Sequence, residues 1–297
     1  MSRIPKQFHF VFGLKEQTEP FHLVYYLCLA SCRAVNRPDR IYFYYHHEPW
    51  GRYWELARPL VTSVWVPLDP FVSDFAYPER NVARYRYAHQ SDFIRLEQLL
   101  QHGGVYADID TIFVNPFPDH LWEESFVLGR EGDVVPAPGQ PAQPSLCNAL
   151  IMAEPGAEFG RIWLDSMQQA FDGSWSMHST LLPESLRARQ PDLVHVEPQR
   201  TFYKHAWTPE GLTTLLEGLD TDFEGVVSMH LWSHLWWSRG RRDFSSFHAG
   251  RLSAKRIAHV DTTYNVAARP YLPSSLKSRD RLRWRLRESL GRLRLFS

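Results

Sequence analysis

The stretch from Gly103 to Val114 constrains the fold most, because its sequence predicts a buried strand that carries two carboxylates. From Val105 onward apolar residues alternate with others, so one extended strand is expected, with Asp108 and Asp110 leaving the same face. Two carboxylates held close together repel each other and resist ionisation. A bound cation would stabilise both in their ionised form, so a cation site is expected here. Mn²⁺ or Mg²⁺ takes such oxygen ligands and keeps open positions for substrate phosphates. The end of this strand is therefore the predicted site.

An Asp-x-Asp pattern alone is a weak signal, since about one is expected by chance in a chain of ordinary composition. This chain contains a second copy, Asp220-Thr221-Asp222, in a polar turn without an apolar strand before it. Turns use Asp for local hydrogen bonds to the backbone. We therefore expect the second copy to bind no metal.

Composition narrows the class of protein. The 297 residues are 44% apolar and 22% charged, which is typical of a soluble globular protein with a large core. Lys plus Arg equals Asp plus Glu, 33 each, so no overall charge favours nucleic acid as a partner. Three cysteines do not make a disulfide framework, and no signal peptide or apolar membrane span is present. These features predict a cytoplasmic protein.

The order of predicted elements indicates an α/β fold. Strands at 7–12, 41–45 and 63–68 alternate with helices at 20–35 and 51–61. This alternation is typical of a mainly parallel central sheet with crossover helices, as in nucleotide-binding domains. We expect one domain over residues 1–273.

A long helix is expected from an N-cap at Asn81 to His102, with Gly103 as its stop. Asp92 and Arg95, three residues apart, project together from it. They are either part of the site or a plain surface ion pair. After the carboxylate strand, residues 129–146 are rich in Pro and Gly and predict a loop that borders the site, and a returning strand follows at 147–152.

Residues 226–237 form a second stretch that carries reactive side chains. It begins as a β-branched strand and ends among His and Trp residues, including His230, Trp232 and Trp236. A lone histidine in such a place is more often a core or surface residue than a ligand. His230 is therefore either a metal ligand or part of the core.

Three segments together resemble the DxD glycosyltransferases of family 32, also called the glycosyltransferase sugar-binding-region family, to which the clostridial glucosylating toxins are related. The first segment is Ser91-Asp92-Phe93-Ile94-Arg95, the second is Gly103-Gly104-Val105-Tyr106, and the third is Asp108-Ile109-Asp110. Two further matches are Ile4 to His9, which resembles the family's first strand, and the His230 to Trp236 segment.

The resemblance implies a GT-A-like nucleotide-sugar-binding fold, a nucleotide-sugar donor such as a UDP-sugar, a divalent metal and retention at the anomeric carbon. It implies metal ligation by Asp108, Asp110 and His230, with Asp108 and Asp110 as the catalytic residues. The residues that it implies for donor binding are His9, Phe10, Asp92, Arg95, Gly104, Tyr106, Asp108, Asn148, Trp232, Ser233 and Trp236.

The chemistry agrees with these roles. Breaking a sugar–phosphate bond releases a diphosphate whose negative charge grows, and a metal neutralises that charge. The anomeric centre becomes cationic, so a nearby carboxylate or amide oxygen is useful. The sequence shows no clear catalytic nucleophile, so front-face substitution and a covalent intermediate both stay open.

The leading hypothesis is a metal-dependent hexosyltransferase that builds a surface polysaccharide on a glycan or lipid-linked acceptor. A toxin-like transferase that glycosylates a protein, and a catalytically inactive GT-A binding module, are the alternatives. A glycoside hydrolase needs its carboxylates about 5 to 10 Å apart across the substrate, and two carboxylates one residue apart on a strand face lie closer.

The last segment, residues 274–297, differs in charge from the rest of the chain, because it contains eight basic and two acidic residues. Leu282, Leu286, Leu290 and Leu293 recur at helical spacing, which predicts a basic amphipathic helix. The helix either packs on the domain or holds the enzyme at the anionic inner face of the membrane. The second arrangement would place the active site near a lipid-linked acceptor.

We predict that deleting the residues after Pro273 weakens sedimentation with anionic vesicles at low salt. Each basic residue near an anionic leaflet contributes about 1 kcal/mol, so several together give reversible attachment. Vesicles of neutral lipid are the control. If the full-length and the truncated chain stay equally in the supernatant, the membrane hypothesis is wrong.

Overall fold

The computed structural model describes residues 2–77, 83–136, 139–233 and 252–274. Three sequence predictions fall outside these ranges. They are the helix cap at Asn81, donor binding by Trp236, and the C-terminal helix beyond Ser274.

Seven of the nine described strands form one sheet, in the order β3-β2-β1-β4-β7-β6-β8. All strands of this sheet run in one direction except β7, which is antiparallel to both of its neighbours. The predicted α/β fold with a mainly parallel central sheet is confirmed. The nine strands are β1 (Gln7–Val11), β2 (Arg40–Tyr45), β3 (Thr62–Trp65), β4 (Gly104–Ala107), β5 (Thr111–Phe113), β6 (Phe126–Arg130), β7 (Leu146–Ala153), β8 (His195–Glu197) and β9 (Ser228–His230).

Helices cover both faces of the sheet. They are α1 (Leu23–Asn36), α2 (Arg52–Ala57), α3 (Pro70–Asp74), α4 (Arg86–His102), α5 (Glu158–Ala170), α6 (Leu182–Arg189), α7 (Gln199–Phe202), α8 (Pro209–Leu216), α9 (Ala254–His259) and α10 (Thr263–Ala268). Short 3₁₀ turns lie at Arg58–Leu60, Asp119–Glu123, Pro191–Leu193 and Arg269–Tyr271, and a π-helical turn at Met177–Leu181 precedes α6. Within the described ranges, no helix combines the length and the apolar character needed to cross a bilayer.

The alternation of side chains along the strands fills two cores. Phe8 and Phe10 of β1 join the core on the face that α1 covers, together with Phe43 and Val105. Val11 belongs to the opposite core, which also contains side chains of α4 and α5. Strands buried on both faces are typically continuous apolar runs; β2 fits this from Ile41 to Tyr45, whereas β1 contains the buried His9.

The order of the strands creates a crevice for a ligand. The chain runs outward from β1 to β2 and β3 on one side, while β4 lies on the other side of β1. In open α/β sheets this change of direction opens a crevice at the carboxyl ends of the strands, where ligands bind. Because β7 runs in the opposite direction, its first residues lie at the same edge of the sheet.

Helix α4 ends as predicted. Gly103 follows it with φ +65°, and its amide donates to the carbonyl of Leu99 at 2.7 Å. Glycine adopts this left-handed conformation without the steric cost that a side chain imposes. The chain can therefore turn at once from α4 into the middle of the sheet.

The prediction of one continuous strand through the carboxylates is wrong. Strand β4 ends at Ala107, and a turn follows in which the amide of Thr111 donates to the carbonyl of Asp108 at 3.1 Å. The chain then leaves the main sheet, and β5 pairs with β9 in a separate two-stranded sheet. Alternation alone did not reveal the turn, because apolar residues line both short strands.

The predicted loop at 129–146 is shorter than expected. Strand β6, which the sequence interpretation missed, continues to Arg130, and Leu146 already belongs to β7. Gly129 lies inside this ladder, where a Cβ atom would come within 2.8 Å of the rings of Phe202 and Tyr203. This glycine allows close packing of α7 on the sheet and does not mark a turn.

Candidate active site

A cavity of about 530 Å³ opens at the carboxyl edge of the main sheet. Its wall includes one side of α4, the ends of β1, β4 and β9, the start of β7, the loop at residues 13–20, and the residues that follow β6 and β9. This is the crevice that the strand order predicts, and its volume is in the range of small-molecule sites.

Asp108, Asp110 and His230 meet in this cavity. The Nε2 atom of His230 lies 2.9 Å from Oδ1 of Asp110 and 3.5 Å from Oδ2 of Asp108. One ligand atom from each of the three side chains lies within 4.8 Å of the other two. The pairing of β5 with β9 causes this contact, because it places Thr111 opposite His230.

The chain turns sharply after His230. Trp232 adopts φ +52°, which costs a residue with a side chain roughly 1–2 kcal/mol. Its indole donates to the carbonyl of His205 at 2.9 Å, and the amide of the next residue, Ser233, donates to Oδ2 of Asp110 at 2.9 Å. Both Trp232 and Ser233 line the cavity, as the resemblance implied.

The two carboxylates of the turn differ in acidity. Burial alone would raise the pKa of Asp110, but the attraction and hydrogen bond of His230 and the amide of Ser233 hold that pKa well below its usual value. For Asp108, burial dominates and raises the pKa, although Arg95 and His230 offset part of the effect. Burial would lower the pKa of His230, but both carboxylates outweigh it and raise that pKa. Asp110 is thus the firmer anion.

The donor set of these three residues fits a divalent transition metal. Two carboxylate oxygens suit a hard cation, and the imidazole nitrogen favours Mn²⁺ over Mg²⁺. In octahedral coordination with bonds of about 2.1 Å, neighbouring ligand atoms are roughly 3 Å apart and opposite ones about 4.2 Å. The observed spacing within 4.8 Å is close to that geometry.

Asp92, Arg95 and Asn148 form a second group beside the first. Arg95 Nη2 lies 3.0 Å from Asp92 Oδ1, and the Asn148 amide donates to the same oxygen at 2.8 Å. Arg95 Nη1 also donates to the carbonyl of Asn148 at 2.6 Å. Asp92 and Arg95 are both buried, so the alternative of a surface ion pair is wrong.

Arg95 links the two groups. Its Nη2 atom lies 3.5 Å from Oδ1 of Asp108, and its guanidinium covers the ring of Tyr106 at 4.4 Å. The Tyr106 hydroxyl donates to the same oxygen of Asp108 at 2.5 Å. Asp108 therefore has one oxygen held by Arg95 and Tyr106, while the other faces His230.

The structure corrects three predicted donor contacts. His9 is fully buried and lies away from the cavity, with its ring nitrogens 2.9 Å from the Tyr44 hydroxyl and 2.8 Å from the Gly103 carbonyl. Burial lowers the pKa of His9 to about 4, so it is neutral near pH 7. Phe10 points into the core on the opposite face. Both residues lie in the middle of β1, whereas the cavity begins at Val11.

Gly104 is the third corrected contact. It begins β4, about 13 Å from Asp108 along an extended strand. A Cβ atom there would lie 2.4 Å from the carbonyl oxygen of Gln7. The glycine allows β4 to approach β1 and does not contact a ligand.

Glu131 is a cavity residue that the sequence interpretation missed. It follows β6 directly, and its Oε1 atom accepts a hydrogen bond from Ser145 at 3.0 Å. Burial raises the pKa of Glu131, although hydrogen bonds from Ser145 and Cys147 and the attraction of His230 offset part of the effect. An acidic residue directly after an apolar strand, beside a Pro-rich loop, was the signal that could have revealed it.

His178 is a second missed residue. It belongs to the π-helical turn before α6 and is fully buried, with its Nε2 atom 2.8 Å from Oδ2 of Asp92. Its carbonyl accepts a hydrogen bond from the indole of Trp163 at 2.9 Å. Local sequence gives no signal for this contact, since His178 and Asp92 are 86 residues apart.

The second Asp-x-Asp copy makes the local hydrogen bond to the backbone that a polar turn predicts. Asp222 donates its amide to Oδ1 of Asp220 at 3.1 Å, which is a local turn contact. Asp220 pairs with Lys204 at 2.8 Å, and Asp222 pairs with Arg200 at 2.7 Å. Cations of the protein already neutralise both carboxylates.

Comparison with known sequences finds a family model that matches part of the chain. A sequence model described as "Glycosyltransferase sugar-binding region containing DXD motif" matches residues 28–127, which include Asp92, Arg95, Asp108 and Asp110. This match covers about a third of the chain and supports its resemblance to the DXD glycosyltransferases.

Similarity to individual proteins extends beyond the matched region. "Glucan organizing enzyme 1" of Cryptococcus neoformans var. grubii is 28% identical over 278 residues, which make up 91% of this chain and 71% of that protein. Among solved structures, the PaToxG glycosyltransferase is 19% identical over 63% of this chain and 70% of that chain, with a TM-score of 0.41. The galactosyltransferase LgtC is 14% identical over 83% of this chain and 96% of that chain, with a TM-score of 0.44.

We predict that His178→Phe lowers kcat/KM for donor turnover about 10- to 100-fold. The change removes a hydrogen bond to the buried carboxylate of Asp92, and such a bond contributes about 1.5–3 kcal/mol. His178→Gln should lose less, because its amide can donate from nearly the same place as Nε2. Steady-state kinetics measure both variants, and thermal unfolding tests whether they remain folded. Equal kcat/KM for the wild type and a folded His178→Phe variant would contradict the role.

Proposed function

We propose that this enzyme transfers a sugar from a nucleotide-sugar donor, a UDP-sugar, to a hydroxyl group of a glycan or lipid-linked oligosaccharide, with Mn²⁺ as cofactor and with retention. The observation that carries the proposal is the convergence of two groups in one cavity. Asp108, Asp110 and His230 supply a metal-binding set, and Asp92, Arg95 and Asn148 supply a polar pocket beside it.

The three parts of a nucleotide-sugar match three parts of the cavity. The end of β1 contributes Val11 and Phe12, and α1 contributes Tyr25, so this wall is apolar and aromatic and suits the nucleoside. The acidic turn suits the diphosphate with its metal. The Asp92–Arg95–Asn148 group then lies where the sugar hydroxyls need donors and acceptors.

Two side chains hold the acidic turn ready for a cation. Tyr106 and Arg95 fix one oxygen of Asp108, and the Ser233 amide fixes one oxygen of Asp110. The remaining oxygens face His230. A bound divalent metal supplies Lewis-acid stabilisation of the departing nucleoside diphosphate.

Glu131 is suited to the charge that develops on the sugar. Bond cleavage makes the anomeric carbon cationic, and a nearby carboxylate stabilises that charge. The Ser145 hydroxyl holds Glu131 in the wall of the cavity that Asp108, Asp110 and His230 also line. Glu131 also supplies a carboxylate of the kind that a covalent route needs, while front-face substitution needs none.

The acceptor belongs to the proposal as well. The similar protein from Cryptococcus carries the word glucan in its name, which supports a carbohydrate acceptor. In the loop between β6 and β7, Glu131 lines the cavity and residues 139–144 are exposed, so we propose that a long glycan binds along this side. We also propose that the enzyme acts in the cytoplasm and that its basic C-terminal segment holds it at the inner face of the membrane.

A hydrolase that uses Asp108 and Asp110 as its carboxylate pair is disfavoured. Such enzymes place one carboxyl group on each side of the scissile bond. Here both carboxylates approach the same nitrogen, Nε2 of His230, at 2.9 and 3.5 Å. This arrangement suits shared ligation of one ion.

We predict that Asp110→Asn lowers Mn²⁺-dependent turnover of the donor at least 100-fold, with little change in folding. The substitution removes the anion that His230 and Ser233 hold, and with it the charge that binds the metal. A screen of UDP- and GDP-sugars with and without Mn²⁺, read as release of nucleoside diphosphate, first identifies the donor and then measures the variant.

The control is the double variant Asp220→Asn/Asp222→Asn, which changes the second Asp-x-Asp copy and should retain wild-type turnover. Wild-type turnover by Asp110→Asn at saturating Mn²⁺ would refute the metal assignment. A wild-type enzyme that binds none of the nucleotide-sugars would refute the proposed function.

For Glu131 we predict that the isosteric change to Gln lowers kcat for transfer at least tenfold and leaves the dissociation constant of the donor within about twofold. An interaction made only in the transition state lowers kcat and kcat/KM equally. Calorimetry with the donor and Mn²⁺ gives the affinity. If donor affinity falls as much as kcat/KM, Glu131 binds the ground state and the charge-stabilising role is wrong.

A further inference from the structure

We propose that this chain carries a second metal site, selective for Zn²⁺, on its surface. The ligands are His120, His195 and Glu197. None of the three lines the cavity of the candidate active site. This surface zinc site is independent of the proposed function, since it shares no residue with the donor and metal groups described above.

Two elements at the edge of the main sheet bring the ligands together. Strand β8 is the last strand in the sheet order, and His195 and Glu197 are two residues apart on it, so their side chains leave the same face. The 3₁₀ turn Asp119–Glu123 supplies His120. A metal here would tie this turn to an edge strand that pairs only with β6 in the described sheet.

The distances match a site that needs only small side-chain rotations. Nε2 of His195 lies 2.7 Å from Oε1 of Glu197, and Nε2 of His120 lies 3.7 Å from the same oxygen. All three ligand atoms lie within 4.8 Å of one another. Tetrahedral zinc with bonds of about 2.0–2.1 Å keeps its ligand atoms roughly 3.3 Å apart, which falls between the two measured separations.

A hydrogen bond orients Glu197, and a second carboxylate lies near His195. The Thr201 hydroxyl donates to Oε2 of Glu197 at 2.7 Å, which leaves Oε1 toward the two imidazoles. Oε1 of Glu124 lies 3.7 Å from Nδ1 of His195, the ring nitrogen that does not face the cluster. In zinc sites the second nitrogen of a ligating histidine commonly donates to a carboxylate, which fixes the ring and raises its basicity.

The ligand types select the metal. Two imidazoles and one carboxylate suit zinc, whereas the active-site group has two carboxylates and one imidazole and suits Mn²⁺. The side chains of His120, His195 and Glu197 are 61%, 32% and 12% exposed. The partly open position at His120 leaves room for water as a fourth ligand, so moderate affinity is expected.

The test is equilibrium dialysis of the full chain against Zn²⁺ alone, followed by metal analysis. We expect the His120→Ala/His195→Ala variant to bind one Zn²⁺ fewer than the wild type, and Glu197→Gln to weaken that site at least tenfold. Thr201→Val should weaken it about tenfold through the outer contact. Mn²⁺-dependent donor turnover should stay within twofold of wild type in each variant.

A matched control is the pair His46→Ala/His47→Ala, which removes two neighbouring histidines elsewhere on the surface and should leave zinc binding unchanged. Thermal unfolding without metal shows whether each variant is folded. Added Zn²⁺ should raise the unfolding temperature of the wild type by more than that of the His120→Ala/His195→Ala variant. Equal zinc content in the wild type and a folded His120→Ala/His195→Ala variant would overturn the proposal.

Discussion

The repulsion between Asp108 and Asp110 governs the arrangement around the site. Two carboxylates in one buried turn remain ionised only if positive groups approach each of them. The structure meets this need separately for each residue. Helix α4 brings Arg95 to Asp108, and strand β9 brings His230 to Asp110. Each of the two acidic side chains is thus paired with a cation from a different element.

Arg95 and His230 do not fully neutralise the two carboxylates, and this leaves negative charge available to bind a metal cation. Asp108 keeps a raised pKa because burial outweighs its partners, while Asp110 is held as a firm anion. If cationic side chains fully neutralised both carboxylates, they would compete with a metal ion for the carboxylate oxygens. The second Asp-x-Asp copy shows that case, because Lys204 and Arg200 pair with its two carboxylates.

Local patterns in the sequence predicted the parts of the fold that local physics determines. Gly103 ends α4 because the chain needs a left-handed residue there, and β1 to β3 alternate with helices as expected. The turn at Asp108 was not visible, because alternating apolar residues are also compatible with two short strands. Glu131 and His178 reach the site through contacts between segments that are far apart in the chain. Such contacts produce no periodic pattern in the local sequence from which they could be predicted.

The resemblance to a family also needed structural interpretation. It named His9 and Gly104 as donor contacts, yet both are held by backbone contacts inside the sheet. Residues that recur in a motif can serve the close approach of two strands as well as the ligand. Asp92, Arg95 and Asn148, named by the same resemblance, do lie together in the cavity wall.

The pairing of β5 with β9 joins Asp110 to His230 across 120 residues of chain. A contact with so large a sequence separation closes a long loop, and loop closure lowers the conformational entropy of the chain. Interactions formed earlier elsewhere in the fold must offset that loss. The metal group is therefore expected to form late in folding, after the main sheet. A metal or donor that binds only the completed group stabilises the native chain, by about 2.7 kcal/mol at a ligand concentration 100 times its Kd. In a cell, the supply of substrate would thus also set how long the folded enzyme survives.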